Sequence, residues 1–348
     1  RSAAALKFLL FSLAGGLVML VSIVGLFVWS ARSLGQPSYL LSDLIGMALP
    51  TDVSRWLMVG FLVAFIVKAP MVPVHTWLPT ATEQSTPGTS VLLVGILDKI
   101  GTFGMIKFCL GLFPEASQWA APVMVILALI SIIYGALAAI GSSDLLRLVA
   151  YTSVSHFGFM VLGIYTFTSA GISGSIFYMV NHGFSTAALF LVVGFLISRR
   201  GSAKVADFGG VEKVTPVLAG FFLIAGLSGL ALPGLSSFVS EFMVLAGAWS
   251  RTPWVAAVAV LGTVLAAVYI MRVYQRTMTG PASEATIKHF TVDATGREKL
   301  VVFPLVAVIL VLGFVPSLAL NVIAPTTQTT MSQVGATDPV AQLGEEGK

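Results

Sequence analysis

The stretch FLVAFIVKAPMVPVHTWLP, residues 61–79, decides how this chain is read. It opens as an apolar helical run and then carries Lys68, succeeded at once by Pro70 and Pro73. A proline has no N–H, so each deprives the carbonyl four residues back of its helical partner, here those of Ile66 and Ala69. A charge and a broken helix thus sit together inside an apolar segment. Two further apolar segments carry charge: SVLLVGILDKIGTFGMIKF (90–108) holds Lys99, and GLSGLALPGLSSFVSEFMVL (226–245) holds Glu241. A charge at mid-membrane costs roughly 2.5–3.5 kcal/mol on insertion scales, so three would cost roughly 10 kcal/mol. Stability does not account for them, and the expected reading is an ion or proton path. Lysines that snorkel to the interface, or that pair for packing, are the plainer alternative.

Composition places the whole chain in a membrane. Of its 348 residues 57% are hydrophobic and only 10% are charged. The mean hydropathy is +0.95, outside the range of a water-soluble domain. Apolar runs of 18 residues or more recur, which predicts an all-α, polytopic helical membrane protein surrounded by lipid. Residue 1 is Arg, and the first apolar run is too long for a signal peptide and lacks a cleavage pattern, so the chain is expected to lack its true N-terminus. A single cysteine, Cys109, rules out an internal disulfide or a Cys-cluster metal site. The four histidines share no metal-ligand spacing. No CxxC, haem motif, dinucleotide fingerprint or P-loop is present. The chain is expected to hold no cofactor or metal of its own and, with a net charge of only +4, to bind no nucleic acid.

Nine spans are predicted, over 5–30, 53–79, 88–113, 119–141, 145–165, 171–198, 214–250, 254–278 and 298–322. The second and seventh are long and contain prolines; in the seventh, Pro233-Gly234 frees the carbonyl of Gly229. Broken helices at membrane depth survive only against protein or a water-filled cavity, and in transporters they mark the ion site. With nine spans, the loops near 80–87, 142–144, 199–213 and 279–297 share a side with the N-terminus. That side carries twelve lysines and arginines against five on the other, which puts residue 1 in the cytoplasm and the C-terminus outside. Residues 323–348, ending in Glu345 and Glu346, read as a flexible outer tail.

A shift of 173 residues lays Phe11 on Phe184, Leu62 on Leu235, Lys68 on Glu241 and Lys99 on Arg272. The members of each pair lie five places apart in the order of spans, an odd number, so the copies cross in opposite directions, the inverted-repeat design of transporters. This divides the chain into residues 1–113, the end of a first half-channel; 119–278, a second half-channel; the last span 298–322; and the tail.

Lysine suits a proton relay because a dry site loosens its proton and a nearby carboxylate restores its hold, whereas arginine stays charged. Lys68 has no obvious carboxylate partner, because Asp98 is the neighbour of Lys99 and adjacent residues do not share a helix face. Its partner is expected on a facing helix or upstream of Arg1. Lys99, Phe103 and Lys107 do share a face by spacing and would lead outward. His156 in YTSVSHFGF and His182 in MVNHGFSTAALF lie mid-span, and histidine as a residue type ordinarily titrates near neutral pH, so they could pass protons between the lysines and Glu241. Neutral histidines bonded to a neighbouring helix are the alternative. Thr152, Ser153 and Ser155 could hold waters or simply pack. Trp77 reads as an aromatic-belt anchor.

The strings VKAPMVPVHTWLP (67–79), GILDKIGTFG (95–104), LLRLVAYTSVSHFGF (145–159), HGFSTAALF (182–190) and LPGLSSFVSEFMVL (232–245) resemble the antiporter-like membrane subunits of respiratory complex I. The resemblance runs from about Leu6 to Gly313 and extends to Mrp-type antiporter subunits. It implies an antiporter-like inverted-repeat fold with two discontinuous helices. It also implies a proton-relay role for Lys68 at the centre of one half-channel, for Lys99 as the link between halves, and for Glu241 in the second broken helix. Sister subunits resemble one another in having lysine at that last position, so Glu241 sets this chain apart from them. The family has fourteen spans and a glutamate on its fifth, so these nine would be spans six to fourteen. The implied function is proton translocation within a bacterial plasma-membrane NADH–quinone oxidoreductase. NADH, FMN, iron–sulfur clusters and quinone would be held by partner subunits, and sister antiporter-like subunits would be neighbours. A cation/proton antiporter subunit and a non-pumping structural fragment are the alternatives. Two departures stand out: LPTATEQSTP (78–87) lacks a loop histidine usual in the family, and Asp98 replaces an apolar residue.

Overall fold

In hydrocarbon the backbone has no water to bond, so each segment must satisfy its amides within a helix or against buried protein. The computed structural model, which describes residues 1–339, obeys that rule. In chain order the helices are α1 (Ser2–Leu34), α2 (Leu41–Leu44), α3 (Thr51–Lys68), α4 (Trp77–Gln84), α5 (Pro87–Leu92), α6 (Lys99–Gly104), α7 (Pro114–Gly141) and α8 (Leu145–Tyr165). They continue as α9 (Ser169–Arg200), α10 (Pro216–Gly229), α11 (Ser236–Arg251), α12 (Pro253–Thr277), α13 (Glu284–His289), α14 (Gly296–Phe314) and α15 (Ser317–Val334). Two π turns, Leu93–Leu97 and Met105–Leu110, flank α6. Among the described residues there is no strand, only an isolated bridge between Asp144 and Lys204. The all-α fold expected from composition is what forms.

Five unbroken helices, α1, α7, α8, α9 and α12, are long and apolar enough to cross a membrane. The pair α14 and α15, bent by 70°, adds one more if counted together. The other expected spans, 53–79, 88–113 and 214–250, are assembled from shorter pieces. Both predicted breaks are present. Helix α3 stops at Lys68 and α4 starts at Trp77; α10 stops at Gly229 and α11 starts at Ser236. The 173-residue shift does not superpose them, because positions 57–62, which it pairs with the second break, lie inside α3. Apolar side chains match in many registers, so the charges and not the breaks set that shift.

The tail differs from expectation. The expected last span, 298–322, is cut short at Phe314, and α15, Ser317–Val334, takes up its end together with residues 323–334, which were expected to be loose. Thr327 shares a 2.8 Å hydrogen bond with Ser173 of α9, and Gln118 of α7 donates to the Val334 carbonyl. Thr329 and Thr330 of α15 bond carbonyls one turn back, so these hydroxyls are satisfied by the helix's own backbone. Glu345, Glu346 and Lys348 lie outside the described residues.

Helix α9 is the spine. It packs against α8, α10, α11, α14 and α15, and α8 is covered in turn by α7. The buried apolar residues form two clusters, one around Phe190 and Phe222, the other around Phe61, Phe113 and Phe159. The loops assigned to the N-terminal side do meet on one face. Arg147 pairs with Glu83, Leu145 N donates to Ala203 O, Gly210 N donates to Thr279 O, and Arg199 makes a bidentate 2.7 Å pair with Glu298. Asp144 caps α8, and Thr295 with Glu298 forms a capping box on α14.

Candidate functional site

The first break is held by substituted hydrogen bonds. The Ile66 carbonyl, which Pro70 would orphan, accepts from Met71 N at 3.1 Å. The Val67 carbonyl accepts from Trp77 Nε1 at 2.9 Å, and Val72 N donates to Ser131 Oγ of α7 at 3.0 Å. Trp77 is fully buried, so it braces the break and is no interfacial anchor; the turn after Pro73 folds it inward. Lys68 is the last residue of α3, half-buried, with its ammonium 5.4 Å from the centre of the Phe8 ring.

The second of the three charges in apolar segments is Lys99. The π turn before it carries an i→i+5 bond from Asp98 N to Leu93 O, which inserts a residue and rotates the helix beyond it. Lys99 Nζ consequently reaches inward, 2.7 Å from His182 Nδ1 on α9, bonded also to the Val94 carbonyl and 5.3 Å from the Phe157 ring centre. Phe103 and Lys107 do not continue its path. They are exposed and line a cavity of about 460 Å³ with Thr326 and Thr329 of α15. A second π turn, over Met105–Leu110, contains Lys107 and breaks the shared face that simple spacing implies.

From His182 the polar groups run on. Its ring centre is 5.1 Å from that of His156 on α8, edge to face. His156 Nε2 lies 3.3 Å from the Tyr269 hydroxyl of α12, and its ring centre lies 5.8 Å from Tyr178. Tyr178 donates to Glu241 Oε2 at 2.7 Å, and the Thr263 hydroxyl donates to Glu241 Oε1. Tyr178 and His182 are four residues apart on α9 and so share its face. The backbone of Gly229, freed by Pro233, lies beside His156, which brings the second break to the same place. Asn181 donates to the Ser236 carbonyl and to Ser240 Oγ, tying α9 to the start of α11. His156, His182 and Glu241 are all buried.

Four of the five residues singled out by sequence, Lys99, His182, His156 and Glu241, thus form one file across the interior. Lys68 stands apart from it, at the first break, without direct contact. Thr152 and Ser153 donate to the Val149 carbonyl and Ser155 to that of Ile132, so these hydroxyls serve the backbone. Sequence reasoning missed Tyr178, Tyr269 and Thr263. The four-residue spacing from His182 could have flagged Tyr178; no local signal marks the other two, which reach the file from α12. It also missed the burial of Asp98, which is complete.

The chain is 48% identical over 348 residues to "NADH-quinone oxidoreductase subunit M" of Mycobacterium tuberculosis, covering 99% of this chain and 63% of that protein. The protein of the same name from Rickettsia prowazekii is 39% identical over 322 residues, covering 92% of this chain and 65% of its own length. The chain thus spans a little under two thirds of the curated relatives it matches. A chain of respiratory complex I from Thermus thermophilus with bound NADH superposes with a TM-score of 0.89 at 32% identity, over 97% of this chain and 70% of that one. A chain of the Mrp complex from Dietzia sp. superposes with a TM-score of 0.83 at 22% identity, over 96% of this chain and 70% of that one, a likeness of fold. Residues 1–266 match the family model described as NADH:quinone oxidoreductase/Mrp antiporter, TM, and the chain belongs to that family.

Proposed function

We propose that this chain is part of a proton-translocating membrane subunit of an NADH–quinone oxidoreductase, and that Lys68, Lys99, His182, His156 and Glu241 relay its protons. The observation that carries the reading is the 2.7 Å contact between Lys99 Nζ and His182 Nδ1 at the head of a buried file that ends on Glu241. An ammonium can only donate and a neutral imidazole nitrogen can accept, so the proton between them changes owner with little motion. The second histidine and the tyrosine hydroxyls of 178 and 269 extend the exchange to the carboxylate. The second helix break brings the backbone of Gly229 beside His156 in a dry interior, where backbone dipoles act strongly.

On this reading the redox chemistry belongs to partner subunits, which would hold NADH, FMN, iron–sulfur clusters and quinone, and sister antiporter-like subunits flank the chain. The loops joined on one face carry the excess of lysine and arginine, which supports a cytoplasmic position for that face and for residue 1 in a bacterial plasma membrane.

The test is Lys99→Ala in the full-length protein within its assembled complex. The number of protons moved per NADH oxidised is expected to fall while the complex stays assembled. An unchanged ratio would refute the relay. Proton movement driven by a sodium gradient without NADH would assign the antiporter reading instead.

A further inference from the structure

Asp98 is the one buried carboxylate of the site that this file does not use. It is 0% exposed, and neither carboxylate oxygen has a hydrogen-bond partner among the described residues. A buried carboxylate without partners is costly, so packing gives no reason for it. It stands where the π turn hands over to α6. One turn on, Gly101 presses α6 flat against the end of α3: a Cβ there would stand 2.5 Å from Ala69 N and 2.6 Å from Phe65 O. Residues three apart share a helix side, so Asp98 opens toward the end of α3 that bears Lys68. Lys99, one residue on, is turned about 100° further round and reaches His182 on α9. Asp98 lies within electrostatic range of both ammonium groups. Neither lysine is locked to it, since the ion pairs among the described residues are Arg147–Glu83 and Arg199–Glu298.

We propose that Asp98 is a proton-carrying group that joins Lys68 to Lys99 and so connects the first break to the buried file. This rests on the relay reading and adds a station to it. The steps balance without any redox partner. The Lys68 ammonium gives a proton to the Asp98 carboxylate, leaving a neutral amine and a carboxylic acid. The acid then gives that proton to neutral Lys99, regenerating the carboxylate and forming the Lys99 ammonium. Both lysines have flexible four-carbon stems, so each can approach the carboxylate in turn. Intermittent contact is what a gated hop requires; a permanent ion pair would hold the proton in place.

The experiment uses the full-length protein in its assembled complex, in sealed membrane vesicles. It compares Asp98→Asn, Asp98→Glu and Lys68→Ala for quinone reduction, proton pumping and infrared difference spectra recorded on a pH jump. Asp98→Asn keeps the shape and removes the exchangeable proton. Proton transfer through this subunit is expected to fall roughly tenfold or more, the scale on which a positioned acid or base acts. Asp98→Glu should recover most of it, and a protonated-carboxyl C=O band should vanish in the Asn variant and shift in the Glu variant. Normal pumping by Asp98→Asn alongside failure of Lys68→Ala overturns the role of Asp98 and leaves the relay standing. Normal pumping by both refutes the relay reading itself. If Asp98→Asn does not assemble, the Glu variant decides: an unshifted set of carboxyl bands overturns the proposal.

Discussion

Glu241 shows how a carboxylate is held in a membrane interior. Two hydroxyls, of Tyr178 on α9 and Thr263 on α12, donate to its two oxygens. Hydrogen bonds to a charged acceptor contribute about 1.5–3 kcal/mol each, which offsets part of the cost of burial without a counter-ion. Glu241→Gln keeps the volume and one accepting oxygen but cannot load and unload a proton. It is expected to lower pumping roughly tenfold or more while assembly survives, with Glu241→Asp milder. Pumping measured against the amount of assembled complex checks this; normal pumping by a poorly assembled Gln variant would make Glu241 a structural partner.

At the scale of elements, the site depends on interrupted helices meeting closely. Helix α6 can approach the end of α3 only because residue 101 has no side chain; a Cβ would collide with backbone, which cannot step aside. Gly101→Ala is therefore expected to cost about 1–3 kcal/mol by overpacking and to shift Lys99 from His182 and Asp98 from its place beside the end of α3. Gly88→Ala on α5, where a Cβ meets nothing within 4 Å, is the matched control and should be neutral or slightly stabilising. Thermal unfolding in detergent together with vesicle pumping separates the two. The π turns play a different part. Each inserts a residue and rotates the helix beyond it, which sets the side that α6 presents to α3 and separates the facing of Lys107 from that of Lys99.

For the molecule as a whole, α9 and the loops at the N-terminal face hold the parts in register. Arg199, at the end of α9, grips Glu298 with two 2.7 Å bonds and also donates to the carbonyls of Val292 and Asp293. Its side chain is 12% exposed and that of Glu298 14%. Arg199→Ala is expected to cost about 2–3 kcal/mol, between the value of a surface pair and that of a fully buried one. Arg199→Lys should recover only part, since an ammonium cannot make the two-pronged contact. The unfolding temperature of the three proteins in one detergent measures this, and equal values would mean that α14 is held by its apolar face alone.

Hydropathy, proline chemistry and the cost of buried charge are local properties that need no partner to be read. The membrane-embedded all-α class, the two helix breaks and the identity of the charged residues were therefore legible along the chain. So was the grouping of the loops, because alternating crossings leave only two sides. How the charges connect was not legible there, and packing settled it. Spacing put Lys107 beneath Lys99, but a π turn broke that face; Trp77 looked interfacial, but the turn after Pro73 buried it. Residues 323–334 looked like tail until α9 and α7 supplied a surface for them. Tyr269 and Thr263 joined the file because α12 returns to the same depth as α8 and α11, although Tyr269 lies 113 residues from His156 and Thr263 lies 22 from Glu241. Asp98 was legible as the neighbour of Lys99 and as a carboxylate in place of an apolar residue; its burial, and its opening toward Lys68, depend on how α6 lies against α3. Proton paths are made of contacts between distant segments, and a periodicity read along one helix carries no information about what crosses it.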